Sequence, residues 1–233
     1  MFTYRIINQG RFQKKTHMLG TTSIRVSASC VADFVTATGK SRESRLRPFK
    51  IPSAESTFRS IYYKDALAAV RAYHARGNDK SQITAAVERI KRLAGLADSA
   101  QKRTRYEQNI EAIGAYIRVY GKRRFKVLPN KRLQFAVGNV TVTAQSDLWV
   151  EEDGTQVLLK IGMAKKKRQY IDLILVLIRK AAVASGHKIR AKNVVYLNVK
   201  SGQEIVASGG LTRFNSLIRM TAAEIEAMWD GIR

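Results

Sequence analysis

The sequence predicts a mixed α/β protein, on three observations. Residues 56–120 carry apolar side chains at helical spacing, and from Phe125 onward the spacing shortens to β-branched and aromatic segments divided by turn residues. Asp153-Gly154 separates two of those segments, and both residue types accept the positive φ that a tight hairpin demands. A long apolar helix then lies between one strand and the next, as a crossover connection would. The order expected after the helical part is β-β-β-α-β-α, a mixed sheet flanked by helices.

Each element has its own warrant. Met1 to Ile7 alternates like a strand, part of an acid-free basic arm that includes Arg5, Arg11, Lys14, Lys15 and Arg25; no hydrophobic signal core is present. Arg42 to Lys50, bracketed by Pro48 and Pro52, reads as a basic extended loop, because a residue before proline avoids helical geometry. Ser56 to Arg76 is a helix with Phe58, Ile61, Tyr62, Ala66, Ala69, Val70 and Tyr73 on one face, stopped by Gly77-Asn78-Asp79. A second helix, Ser81 to Leu96, turns Ile83, Val87 and Ile90 inward. A third, Ser99 to Tyr120, buries Tyr106, Ile110, Ile113 and Ile117 and ends at Gly121.

Strands are expected over Phe125 to Leu128, Leu133 to Val142, Ser146 to Glu151, Gln156 to Ile161 and Asn193 to Val199. A helix runs from Lys165 to Ser185 and stops at Gly186, and Thr221 to Glu224 forms a capping box that opens a last helix. Residues 1–105 are read as a basic, largely helical N-terminal part and 106–233 as the α/β core.

Composition narrows the function. The chain of 233 residues carries 42 Lys plus Arg against 18 Asp plus Glu, a net charge of +24, on a composition that is 45% hydrophobic. A folded chain this positive repels itself, and a polyanion is the partner that relieves it. Nucleic acid is therefore the expected partner, DNA ahead of RNA, with a protein partner in a larger assembly. One cysteine, Cys30, excludes an internal disulfide and a cysteine metal cage and suits the cytoplasm. The longest apolar run, Ile171 to Ala184, contains Asp172, Arg179 and Lys180, so no membrane span is expected. The three histidines lie far apart, no P-loop is present, and Ser208-Gly209-Gly210 reads as a plain turn.

One constellation bears on chemistry. Ser146-Asp147-Leu148-Trp149-Val150 and Val157-Leu158-Leu159-Lys160 flank the hairpin, and Gln169-Tyr170 follow on the next helix. Over Gln108 to Lys200 this arrangement resembles the PD-(D/E)XK superfamily, the restriction-endonuclease-like fold, and especially its RecB-type exonuclease branch. Arg25 to Cys30 is similar to that branch's serine-bearing entry segment. The resemblance implies that Asp147 and an acid two residues before the lysine hold Mg²⁺, while Lys160 steadies the attacking water. Here the second acid's position is Leu158, which cannot ligate a hard cation, so the chain is identified as a degenerate member. Two replacements are open: Glu151, Glu152 or Asp153 reaching inward from the solvated hairpin end, or Glu111 on the preceding helix, which gives Asp147 and Glu111 as metal ligands and Lys160 as the third catalytic group.

The candidate nucleic-acid contacts are Arg42, Arg45, Arg47 and Lys50; Lys122, Arg123 and Arg124; and Lys165, Lys166, Lys167 and Arg168 with Gln169 and Tyr170. The leading expectation is a non-cleaving DNA-binding protein of a DNA-processing or defence assembly. Its rivals are an active Mg²⁺-dependent DNase and a structural component of a ribonucleoprotein.

Overall fold

A computed structural model describes residues 23–52, 62–207 and 211–232. The expected strand at Met1 to Ile7, the inward residues Phe58 and Ile61, and the Ser208-Gly209-Gly210 turn lie outside the described residues.

The chain is a mixed α+β fold. Its centre is a five-stranded sheet of β2 (Lys126–Val127), β5 (Leu148–Glu152), β6 (Thr155–Gly162), β7 (Val194–Asn198) and β8 (Gln203–Val206), adjacent in that order. β6 and β7 run parallel, joined by a crossover through helix α6 (Arg168–Ala184), and the other pairs are antiparallel. A second sheet holds β1 (Ile24–Ser27), β4 (Val140–Ala144) and β3 (Leu133–Val137), with β4 in the middle. The Asp153-Gly154 turn forms as expected: both residues have positive φ, 47° and 72°, and Glu152 pairs with Thr155 across it.

Both faces of the central sheet are covered. Leu148, Val150, Leu159, Ile161 and Leu197 face α3 (Lys64–Ala75), α4 (Lys80–Gly95) and α5 (Ala100–Tyr120). Trp149, Leu158, Val194 and Tyr196 face α6, the second sheet, α1 (Ala28–Thr36) and α7 (Leu211–Trp229). Helix α6 is apolar almost all round because sheets and helices enclose it. No helix among the described residues is long and apolar enough to cross a membrane.

Asn109, fully buried on α5, joins the helical layer. Its carbonyl accepts from Ala66 N–H at 3.0 Å, and its amide donates to the Tyr62 and Arg105 carbonyls, each at 2.8 Å. Asn109→Ala strands the first-turn N–H of α3 without water, at a cost of about 2–3 kcal/mol that urea titration against wild type will measure.

Four sequence expectations are corrected. Arg42 to Lys50 is helical, not extended: α2 spans Lys40–Lys50 with Pro48 inside it. Tertiary anchoring overrides the pre-proline preference, because Leu46 is buried, Arg42 pairs with Glu224 at 2.9 Å, and Lys50 donates to the Trp229 carbonyl at 2.6 Å. Leu133 to Val142 is not one strand but the β3–β4 hairpin, turned at Gly138-Asn139 with Gly138 at φ 59°. The crossover helix starts at Arg168 and not at Lys165; Lys167 is its extended N-cap residue. The last helix begins at Leu211, and Thr221 sits buried within it, on a stripe with Ile218, Ala222 and Ile225.

Candidate functional site

Asp147 lies where the chain enters β5. Its N–H reaches the Leu159 carbonyl at 2.8 Å, extending the β5–β6 ladder by one bond. Its carboxylate turns across β6: Oδ1 accepts from Lys160 Nζ at 2.9 Å, and Oδ2 accepts from Ile161 N–H at 2.7 Å. Two side chains from other elements hold this corner by its backbone. Arg71 of α3 donates to the Asp147 carbonyl at 2.7 Å, and Asn130, after β2, donates to the Ser146 carbonyl at 2.6 Å. Sequence reasoning missed both. Nothing in helical spacing distinguishes Arg71 from any outward arginine.

The ion pair is largely enclosed, with 11% of the Asp147 side chain and 24% of Lys160 exposed. Burial opposes the charge on Lys160, but the Coulomb attraction and hydrogen bond of Asp147 outweigh it and raise the lysine pKa. Lys160 is therefore a firmly charged ammonium and cannot act as a general base near neutral pH. Tyr196, opposite Lys160 on β7, is pushed up to about 12 by burial, with the neighbouring Tyr170 and Asp147 adding to it. Its hydroxyl lies against Gly162, where even a Cβ would collide with the ring. Tyr170 is buried beneath Lys166, whose ammonium stands 4.3 Å from the ring centroid and 3.5 Å from the Asp33 carboxylate.

The residues as placed do not fit a resident Mg²⁺. The ion prefers near-octahedral oxygen coordination, yet both Asp147 oxygens are engaged, one by a cation. Leu158, at the position of the second acid, is fully buried in the core facing α6. Glu111 is exposed on α5, where it lines a separate small cavity of about 90 Å³ with Tyr63, Gln108, Met163 and Lys200. Among the described residues, no three His, Cys, Asp or Glu side chains come together as a metal site. The structure thus joins Asp147 and Lys160 and leaves Glu111 out.

The candidate cations divide by what they touch. Arg42 and Lys50 are tied to α7, as described above. Arg123 is fixed between Glu152 and Glu204, at 2.5 and 2.7 Å, and lies over the Phe125 ring. Lys166 pairs with Asp33, and Arg168 with Asp172 one turn along α6. Arg45, Arg47, Lys122, Arg124, Lys165, Lys167 and Gln169 are exposed, and the first six have no carboxylate partner among the described residues. Lys165 and Lys167 follow β6 at its C-terminal end, the end that carries Asp147 and Lys160. The positive end of the helix slightly disfavours cations at this position, and only Arg168, in the first turn, is offset by an acid of the helix, Asp172.

No family model matches the chain, and no curated protein or solved structure does.

Proposed function

We propose that this chain is a nucleic-acid-binding protein, for DNA in the first place, built on a degenerate restriction-endonuclease-like core that does not cut. The observation that carries this reading is the contrast at one sheet end. Exposed Lys165 and Lys167, without carboxylate partners among the described residues, follow the strand end that carries an acid whose two oxygens are already taken. Such lysines gain phosphate contacts and release condensed counterions. With Leu158 in the core, the same corner lacks, among the described residues, the cluster of oxygen donors that would hold an ion to activate water. Cleavage, where the biology requires it, would come from a protein partner in a processing or defence assembly. These contacts position a backbone and read no sequence.

The test is binding and cleavage measured side by side. Wild type is expected to bind a long DNA duplex with steep salt dependence and to leave it intact in Mg²⁺ or Mn²⁺. Lys165→Ala/Lys167→Ala should flatten the plot of log K against log salt by about two, near 0.9 per lost phosphate contact. Absence of salt-dependent binding overturns the reading. Cutting that Asp147→Asn abolishes would replace it with the metal-dependent DNase, and tighter binding of structured RNA than of DNA would replace it with the ribonucleoprotein component.

A further inference from the structure

We infer that the nucleic acid is a duplex held by its backbone at two zones, one beyond each end of β6, so that firm binding needs about seven base pairs. This inference rests on the nucleic-acid reading above. The first zone is the C-terminal end of β6, with Lys165 and Lys167. The second is an open hollow of about 700 Å³ between the α3–α4 turn and β2, lined by Asn78, Lys122, Arg124, Phe125 and Lys126 among others. Arg123, between two of those cations, is consumed by Glu152 and Glu204, and Lys126 has Glu151 at 3.5 Å. Lys122 and Arg124 have no carboxylate partner among the described residues and face outward for a ligand's phosphates. A charged edge strand blunts sheet-to-sheet association, which accounts for Lys126 but not for two cations that precede the strand.

Register sets the separation. Lys126 lies opposite Glu151, and Glu151 opposite Gln156, at the hairpin end of β6. Gly162 closes the other end, which at roughly 3.3 Å per residue is about 20 Å away. Arg124 and Lys165 lie beyond those two ends, so the zones stand about 25 Å apart, or seven base pairs at about 3.4 Å each. Beside the first zone are Arg71, at the Asp147 carbonyl, and exposed Lys131 and Arg132, which follow the Asn130 contact to the same corner.

Ring placement selects a duplex over a single strand. Single-strand binding relies on exposed rings on which bases stack. At the two zones the rings are withdrawn: Phe125 packs against His74 at 4.6 Å between centroids, and Tyr170 is roofed by Lys166. What remains at the surface is cationic and suits phosphates.

The experiment is fluorescence anisotropy with DNA duplexes of about 6, 12 and 20 base pairs and a 20-nucleotide single strand, at roughly 50–200 mM salt. Wild type and Lys122→Ala/Arg124→Ala are compared, with circular dichroism confirming that both are folded. The longer duplexes should bind about tenfold or more tighter than both the shortest duplex and the single strand, and the variant should lose about two units of salt slope on the longest. Equal affinity for the shortest and longest duplexes, a single strand that binds as tightly as duplex, or an unchanged slope overturns the two-zone grip alone. No salt-dependent binding to any probe overturns the nucleic-acid reading with it.

Discussion

Asp147→Ala will melt roughly 6–12 °C below wild type and will still bind nucleic acid once folded. Removing the carboxylate leaves Lys160 charged in a mostly enclosed site and leaves Ile161 N–H without its acceptor. Breaking a buried pair from one side costs about 3–5 kcal/mol, and the partial exposure of Lys160 keeps the cost near 3. For a chain of this size each kcal/mol moves the melting point by about 2–4 °C. Asp147→Asn keeps an oxygen for Ile161 and will lose about half as much. Adding Lys160→Met to Asp147→Asn removes the stranded cation and should recover stability to within about 1 kcal/mol of wild type, because well-packed apolar groups replace buried pairs at little net cost.

That thermal scan also separates structure from catalysis. In a working nuclease the acid that binds metal is dispensable for folding, and its loss abolishes cutting. In the present geometry the acid is a clamp between the entry to β5 and the end of β6, so its loss appears in the melting curve and not in the binding curve. A variant that melts with wild type would show that the pair contributes nothing to the fold. The raised pKa of Lys160 adds an alkaline signature. Its contribution is complete below the ordinary lysine value near 10.4 and is lost as pH climbs through the higher folded value.

The helices of the first half and the Asp-Gly hairpin were legible because both are local signals: apolar spacing that buries Ala66, Ala69, Val70 and Tyr73, and a turn whose positive φ is written in its residues. Charge, too, was legible as a total, but not as a map. Arg42 and Arg123 look like any surface arginine in sequence, and only their partners Glu224, Glu152 and Glu204, far along the chain, commit them to structure. The same distance effect made a loop of α2, whose anchors lie in α7 some 180 residues away. β1 and β8 escaped notice because four-residue strands pair with remote segments and carry little periodicity. At the candidate site, the order Asp147, hairpin, Lys160 foretold the pairing, whereas the bonds from Arg71 and Asn130 depend on packing that no spacing encodes.

Acid will destabilise this protein through His74. The ring is 1% exposed, between α3, α5 and the segment leading to β2. Asn78 donates its amide to the carbonyls of Gly121 and Arg123, which turns its oxygen to His74 Nδ1 at 2.8 Å and makes that nitrogen the donor. Nε2 then accepts from the Tyr116 hydroxyl at 2.9 Å. Tyr73 and Phe125 pack edgewise and tilted against the ring, and Arg123 and Glu152 are the charged neighbours, acting in opposite directions. Burial dominates and lowers the pKa from 6.5 to about 4. Because the folded value lies below the unfolded one, the stability this histidine confers is complete above pH 6.5 and drains away as pH falls toward 4. By pH 4.5 the loss reaches about 2–3 kcal/mol, at 1.36 kcal/mol per unit. Urea titrations from pH 7 to 4.5 will show it against His74→Gln, which retains hydrogen-bonding capacity but does not titrate. Parallel losses in the two proteins would mean that His74 is not the acid-sensitive group; a shallower decline in the variant, by about 2–3 kcal/mol over that range, identifies it.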